Sequence, residues 1–152
     1  MREQATLPGL LHVATREFVD VVDGIACAIS RRVGDVLIQV AEHARDGRAL
    51  VLGHGYLISD FPSTEEVLEE NNPLACSLLH DGCDPAEAEL LNEMRLDSLL
   101  MVPLSLPDGR WGLAEVYVNG RVFTDEDVAA VQPLAHASGE ALERRPAPAF
   151  RS

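Results

Sequence analysis

The fold is decided by the segment Leu99–Val118, which reads LLMVPLSLPDGRWGLAEVYV. Two runs rich in apolar residues, Leu99–Leu106 and Arg110–Val118, flank the short connection Pro107-Asp108-Gly109. An Asp-Gly pair between two such runs is a strong signal for a tight turn joining antiparallel strands. The segment therefore predicts a β-hairpin.

The second strand of this hairpin has two chemically different faces, because successive side chains of a strand point to opposite sides of the sheet. The small apolar face suits close packing against helices, and it comprises Gly112, Ala114, Val116 and Val118. The larger face suits the lining of a pocket, and it comprises Trp111, Leu113, Glu115 and Tyr117. A carboxylate in a partly enclosed space needs a partner. For Glu115 that partner is a ligand or, alternatively, neighbouring backbone or a loop arginine.

Helices are predicted at both ends of the chain. Apolar residues recur at helical spacing from Pro8 to about Val22, after a capping Thr6. Thr124 and Asp127 open the last helix, which continues to Arg145. Between the first helix and the middle of the chain, Ile25–Ser30 and Val36–His43 predict a second hairpin, because a Gly-containing turn separates them.

The middle of the chain is less regular. Residues 63–68 predict a short helix, and Leu74–Leu79 predicts a strand. Ala49–Leu52 fits a third short strand or an irregular connection. Asp84-Pro85-Ala86-Glu87 predicts a helix start, with Asp84 as the cap and Glu87 closing a capping box.

This order of elements predicts an α+β domain with an antiparallel sheet. The terminal helices are expected to cover one face of the sheet, and the irregular middle is expected to cover the other. The length of 152 residues suits one domain. We expect that domain over residues 1–145, followed by a Pro/Ala-rich flexible tail or linker start at 146–152.

The charge of the chain excludes several classes of partner. The formal net charge is −13, and nucleic-acid affinity depends on Lys and Arg displacing counterions from phosphates. Anionic membrane surfaces are disfavoured for the same reason. Three cysteines without a CxxC pair are typical of reduced thiols. With no apolar run long enough to span a bilayer and no signal-peptide pattern, we expect a cytoplasmic protein.

Several motifs, in order and at suitable spacing, resemble the GAF domain family. They are Tyr56 with Asp60-Phe61-Pro62, Asp84-Pro85, Ser98–Leu104, Trp111–Tyr117 and Phe123–Asp127. The resemblance implies a five- or six-stranded antiparallel sheet with terminal helices on one face and a pocket roofed by loops and a short helix on the other. It also implies a non-catalytic, small-molecule-binding sensor that regulates an output domain or partner protein. The chain is similar to domains of actinobacterial signalling proteins.

The same resemblance implies a ligand pocket whose occupant and cofactor the sequence leaves unknown. The predicted lining residues are Tyr56, Asp60, Met101, Trp111, Glu115 and Tyr117. For Asp60 the alternative is a turn residue that bonds its own backbone ahead of Pro62.

The sequence matches the binding motifs of specific cofactors less well. Asp81-Gly82-Cys83 matches part of a bilin-attachment motif, but Asp84 replaces its aromatic residue and Cys76 precedes Ser77 rather than histidine. For haem, which needs an axial histidine, His54 and His80 lie in the right region but fit solvated loop residues better. Cys76, His80 and Cys83 lack a fourth zinc ligand nearby, so no metal site is predicted. Cys27 fits a small core residue.

Two further functions stay open as alternatives. The cyclic-nucleotide pattern of related domains lacks two of its five positions here, at Gly120 and Val128. A thiol-based redox enzyme or sensor would use Cys76 and Cys83, although the motifs of such enzymes are absent. No catalytic residue is therefore predicted.

A ligand-free dimerisation or docking module is the main alternative to a sensor. A helix buries one broad apolar stripe, yet the last helix is apolar over more of its surface. Its apolar residues include Val128, Ala129, Ala130, Val131, Leu134, Ala135 and Ala137. We therefore expect a homodimer through the terminal helices.

Overall fold

A computed structural model of the chain describes residues 6–50, 55–80, 83–106 and 109–144. Within these residues, six antiparallel strands form one sheet in the order β3-β2-β1-β6-β5-β4. The strands are β1 Ala26–Val33, β2 Val36–Ala44, β3 Gly55–Leu57, β4 Leu74–Ser77, β5 Ser98–Leu106 and β6 Gly109–Val118. The helices are α1 Leu7–Val21, α2 Pro62–Glu70, α3 Pro85–Met94 and α4 Asp125–Arg144. The predicted α+β class and the predicted antiparallel sheet of five or six strands are confirmed.

The predicted hairpin of Leu99–Val118 forms the centre of the sheet. Strand β6 lies between β1 and β5, and Leu106 pairs with Gly109 at the turn end of the hairpin. The turn residues Pro107 and Asp108 themselves lie outside the described residues. This register places Glu115 opposite Ala28 on one side and Met101 on the other.

Both terminal helices begin at the caps that the sequence predicts. The Thr6 side chain accepts a hydrogen bond from the Gly9 amide at 3.1 Å. At α4, the Thr124 hydroxyl accepts from the Asp127 amide, and the Asp127 carboxylate accepts from the Thr124 amide in return. These bonds satisfy backbone donors that a helix start leaves open.

The terminal helices pack on one face of the sheet, as predicted. The core of this face is apolar, and it includes Leu11, Phe18, Val19, Cys27, Ile29, Leu100, Val102, Ala114, Val116 and Val131. Helix α4 approaches β5 so closely that a Cβ added to Gly139 would lie 2.6 Å from the Ser105 carbonyl oxygen. We call this layer the helix face.

The opposite side of the sheet is covered by a single 3-10 turn at Ile58–Asp60, which follows the edge strand β3, and by helices α2 and α3. Its core includes Leu37, Ile58, Val67, Leu68, Leu91, Met94, Met101, Leu113 and Tyr117. We call this layer the polar face, because Glu87 and Glu115 are buried in it. The short strand β3 was not predicted, since three residues are too few to show an alternating pattern.

Some predictions fall outside the described residues. Ala49 and Leu50 belong to no strand, and residues 51–54 are not described, so the predicted third strand over Ala49–Leu52 is only partly covered. Residues 145–152 are not described either, so the division into a domain and a tail stays a prediction. Among the helices of the described ranges, none combines the length and apolar character needed to cross a bilayer.

Candidate functional site

One side chain joins the first turns of the two helices that cover the polar face. Asp84 Oδ1 accepts from the Glu87 amide at 2.9 Å, which caps α3. Its Oδ2 accepts from the Ser63 amide at 2.9 Å, in the first turn of α2. Partial burial acts to raise the pKa of Asp84, but the hydrogen bonds from Ser63 and Glu87 hold this pKa below its ordinary value. The carboxylate therefore positions both helices over the sheet.

Two carboxyl groups are buried beneath these helices. Glu115 projects from β6 and is 2% exposed, and Glu87 projects from α3 and is 1% exposed. The Tyr56 hydroxyl donates to Glu115 Oε1 at 3.3 Å. The Thr64 hydroxyl donates to Glu87 Oε2 at 2.6 Å and lies 3.5 Å from Met101 Sδ. The polar face thus buries two acids with one hydroxyl bound to each.

Burial shifts both acids toward their protonated forms. Desolvation, and then the charge of Glu87, raises the pKa of Glu115 to about 8 despite the bond from Tyr56. Desolvation likewise raises the pKa of Glu87 to about 7; the bond from Thr64 lowers it, and the charge of Asp84 adds to the increase. The two acids repel each other when both are ionised.

Four buried polar atoms have no hydrogen-bond partner among the described residues. Two of them belong to the cluster of acids: the hydroxyl of Tyr117, which is 0% exposed, and Oε1 of Glu87. The other two, Ser30 Oγ and Gln39 Oε1, belong to β1 and β2. Tyr117 lies two residues from Glu115 on the same face of β6. Burial raises the pKa of Tyr117, and the charges of Glu115, Tyr56 and Glu87 raise it further. An unsatisfied buried polar group is costly, so its presence needs an explanation.

Arginines do not balance these acids within the described part of the chain. Arg45 pairs with Asp20 and Asp23, Arg48 with Asp46, and Arg121 with Asp127. The chain contains no lysine. The alternative prediction of a loop arginine as partner of Glu115 is therefore not realised in the described ranges, where Tyr56 holds its carboxyl group.

The structure brings four of the six predicted site residues together. Tyr56, Met101, Glu115 and Tyr117 all belong to the polar face or pack against it. Whether they bind a ligand stays a prediction.

Trp111 lies elsewhere. It is half-buried against the helix face, and the Arg31 guanidinium lies 5.9 Å from the centre of its ring. The β5–β6 register shifts here, because Leu104 pairs with Gly112 and Ser105 with Arg110, which leaves Trp111 without a partner in β5. Such a bulge redirects a side chain, so simple alternation assigned Trp111 to the wrong face.

Asp60 is also separate from the buried acids. It ends the 3-10 turn and is exposed to solvent. Its position beside Phe61-Pro62 follows the sequence prediction of a roof segment, but its side chain does not join the cluster of Tyr56 and Glu115.

Two residues of the cluster were not predicted as site residues. The sequence pattern indicated that Glu87 is the reciprocal member of a capping box. Its amide does donate to the capping Asp84 side chain, but its carboxyl group accepts a hydrogen bond from Thr64 instead of closing the box. The fully buried position of Thr64 gave no local signal. For Glu87, the only indication of a site residue was its place on the buried side of the first turn of a helix.

The surroundings of the cysteines do not favour the cofactor, metal or redox functions considered from the sequence. Cys27 is buried on the helix face, as predicted for a small core residue. Burial, and then a hydrogen bond with Cys83, raises the pKa of the Cys76 thiol, which disfavours the reactive thiolate. His80 is exposed in a turn, whereas His54, Asp81 and Gly82 lie outside the described residues. Across the described ranges, no three His, Cys, Asp or Glu side chains are grouped to hold a metal ion.

This architecture defines a class of protein, an α+β domain with one apolar helix layer and one polar layer on a shared antiparallel sheet. The GAF domain family model matches residues 6–142. The chain therefore belongs to the GAF domain family. No curated protein matches its sequence.

Solved structures with the same fold are distant in sequence. The chromophore-binding domain of Stigmatella aurantiaca bacteriophytochrome has a TM-score of 0.77 at 16% identity, over 95% of this chain and 56% of that one. The blue-light-absorbing Thermosynechococcus elongatus PixJ GAF domain has a TM-score of 0.77 at 15% identity, over 90% and 84%. A phycocyanobilin-bound GAF domain of a cyanobacterial phytochrome has a TM-score of 0.78 at 17% identity, over 90% and 84%. This chain thus spans about half of the bacteriophytochrome chain, and the likeness extends to the fold.

Proposed function

We propose that this GAF domain is a non-catalytic, cytoplasmic sensory domain that binds a small molecule at its polar face. Tyr56, Glu87, Glu115 and Tyr117 line the site. The observation that carries the proposal is the pair of unpartnered, buried polar atoms beside two buried acids. Burying polar groups without partners costs about 1–3 kcal/mol each, and a bound ligand would supply those partners.

The proposed site is connected to the rest of the fold in a way that suits a sensor. Asp84 joins α2 and α3 above the site, and Met101 and Glu115 belong to the central strands below it. The same two strands carry the terminal helices on the opposite face. A ligand would change the signal by favouring one arrangement of these layers, to the extent that it binds that arrangement more tightly.

Native mass spectrometry of the purified protein tests the proposal, followed by denaturing mass spectrometry of the same sample. We expect an added mass that is lost on denaturation. The added mass should fall sharply in Tyr117→Phe, which removes only a hydroxyl. Bare protein throughout, together with no binding to any metabolite pool added back, would contradict the proposal.

We also propose that the domain dimerises through α1 and α4 and passes its signal to an output domain or partner protein. An apolar groove of about 110 Å³ lies between these helices, lined by residues that include Leu10, Val13, Leu134 and Ala141. Val13 is 53% exposed. This groove is also the observation that favours the second candidate function, a docking module that needs no ligand.

Sedimentation equilibrium with two matched variants tests the dimer. Val13→Glu places a charge on the groove, and Val33→Glu places the same charge on a valine of β1 that is 54% exposed. We expect a dimer for the wild type and for Val33→Glu, and a monomer for Val13→Glu. A monomeric wild type would contradict the dimer proposal without affecting the ligand site.

A further inference from the structure

We infer that the ligand of the polar face is an organic cation with N–H donors, such as an amine, amidine or guanidine. This inference rests on the proposed function of the same site and adds the chemical class of the ligand. It follows from which hydrogen-bonding capacity the buried side chains leave unused.

The unused capacity is mainly for accepting hydrogen bonds. A positive charge nearby favours the ionised form of a buried acid, and each ionised carboxyl group accepts through two oxygens. The hydrogen bonds from Tyr56 and Thr64 occupy Glu115 Oε1 and Glu87 Oε2, and they use the hydroxyl protons of these two residues. Glu87 Oε1 remains without a donor among the described residues. A ligand that completes these bonds must therefore bring donors.

The hydroxyl of Tyr117 is a second and independent indication. It is fully buried on the same face of β6 as Glu115 and has no partner in the described part of the chain. A hydroxyl can accept a bond from an N–H group and donate its own proton to a carboxylate. A ligand whose N–H groups reach the Tyr117 hydroxyl and Glu87 Oε1 would supply both atoms with the partners that they lack.

Charge selects a cation over a neutral or anionic molecule. Two ionised carboxyl groups in a low-dielectric layer repel each other, and an opposite charge nearby relieves that repulsion. Within the described ranges, the ion pairs of Arg45, Arg48 and Arg121 are formed with aspartates and not with either buried glutamate. Among the described residues, neither buried acid is therefore paired with a cationic group of the kind that recognises phosphate or carboxylate ligands.

Three probes of one shape separate the classes of ligand. Benzamidine is cationic, benzamide is neutral and benzoate is anionic, while the ring is shared. Isothermal titration calorimetry should be run in about 0.15 M salt, where charges more than about 8 Å apart are largely screened. We expect benzamidine to bind more tightly than benzamide, and benzoate not to bind.

Matched variants separate the buried acids from the overall negative charge. Glu87→Gln and Glu115→Gln keep the shape of the side chain, and each should weaken benzamidine binding at least about tenfold. Glu69→Gln removes the same charge from the exposed surface of α2 and should leave the affinity unchanged. Thermal denaturation of each variant checks that the fold is retained.

Several results would overturn the inference. Benzoate or benzamide binding as tightly as benzamidine would do so, and so would equal benzamidine affinity in Glu115→Gln and wild type, or no binding of any probe. A retained anionic or neutral molecule in native mass spectrometry, displaced by Tyr117→Phe, would overturn the cationic class while leaving the proposed function intact.

Discussion

The two faces of the central sheet are built from the same strands but have opposite chemistry. On the helix face, Ala114 and Val116 of β6 pack with Phe18, Ile29 and Val131 in a layer whose core is apolar. On the polar face, the alternate residues of the same strand bury a carboxyl group and a hydroxyl. The helix face gains stability from every buried side chain.

The comparison suggests a division of roles, in which the helix face stabilises the domain and the polar face serves the function that we propose. A buried acid with a single hydroxyl partner costs free energy that an apolar residue of the same size would not. The helix face shows that this chain builds an apolar layer on one side of the sheet. Its polar face is therefore best explained by a requirement other than stability, and ligand binding is the one we propose.

Breaking the helix face should give the largest loss of stability. Phe18 is fully buried in its centre, and Phe18→Ala should cost about 3–5 kcal/mol because it removes apolar contact and leaves a cavity. Chemical denaturation measures this loss. Val21→Ala, at an exposed position of the same helix outside the groove, is the control and should change stability by about 0.5 kcal/mol or less. Equal effects of the two substitutions would show that this layer is not the main core.

Neutralising Glu115 should increase the stability of the fold, in contrast to Phe18→Ala. The unfolded chain releases this proton near the ordinary pKa of 4.5, whereas the folded domain retains it until about 8. Between these values the folded state binds more protons, so its stability falls as pH rises through the window. Glu115→Gln does not ionise and should be more stable than wild type by on the order of 2 kcal/mol near pH 8, but not below the ordinary pKa.

Urea denaturation at several pH values checks this sign. Glu69→Gln is the control, because its carboxyl group is exposed, and its difference from wild type should stay small and nearly constant with pH. A Glu115→Gln variant that is less stable than wild type near pH 8 would mean that the carboxylate is stabilised in the fold.

Removing the shared cap should loosen the polar face alone. Asp84→Ala leaves the Ser63 and Glu87 amides without their acceptor and should cost about 1–2 kcal/mol. Hydrogen exchange should accelerate at these two amides. Thr6→Ala removes the cap of α1 at a similar cost, with faster exchange at Gly9 instead. Unchanged exchange at Ser63 in Asp84→Ala would contradict a cap shared between α2 and α3.

The hydroxyl of Tyr117 should give the smallest effect on stability. It has no partner among the described residues, so Tyr117→Phe should change stability by less than about 0.5 kcal/mol or increase it slightly. Tyr56→Phe removes a hydroxyl that bonds to Glu115 and should be destabilising by about 1 kcal/mol. Thermal denaturation of both variants measures the difference. A larger loss in Tyr117→Phe would reveal a partner within the protein.

Local sequence patterns predicted most of the fold. The turn signal and the alternation in Leu99–Val118 gave the central hairpin and placed Ala114, Glu115 and Tyr117 on their observed faces. Short-range cap chemistry located the starts of α1, α3 and α4. These features depend on neighbours within a few residues, so one sequence is enough to recognise them.

The errors arise where distant segments decide the outcome. Trp111 departs from the alternation because a register shift against β5 turns it toward the helix face. Glu87 joins the site through Thr64, a residue 23 positions away. Neither a bulge nor a contact between two helices has a local signature in this chain. The site was therefore predicted in part, and its second acid was missed.

Methyl NMR can compare the two faces directly in a single experiment. Met101 and Ile58 belong to the polar face and Ile29 to the helix face, so labelled Met and Ile methyl groups report on both. We expect benzamidine to shift the Met101 and Ile58 signals in wild type, to leave Ile29 unchanged, and to have little effect in Glu115→Gln. Shifts at Ile29 without shifts at Met101 would place the binding site between the terminal helices and contradict a ligand site on the polar face.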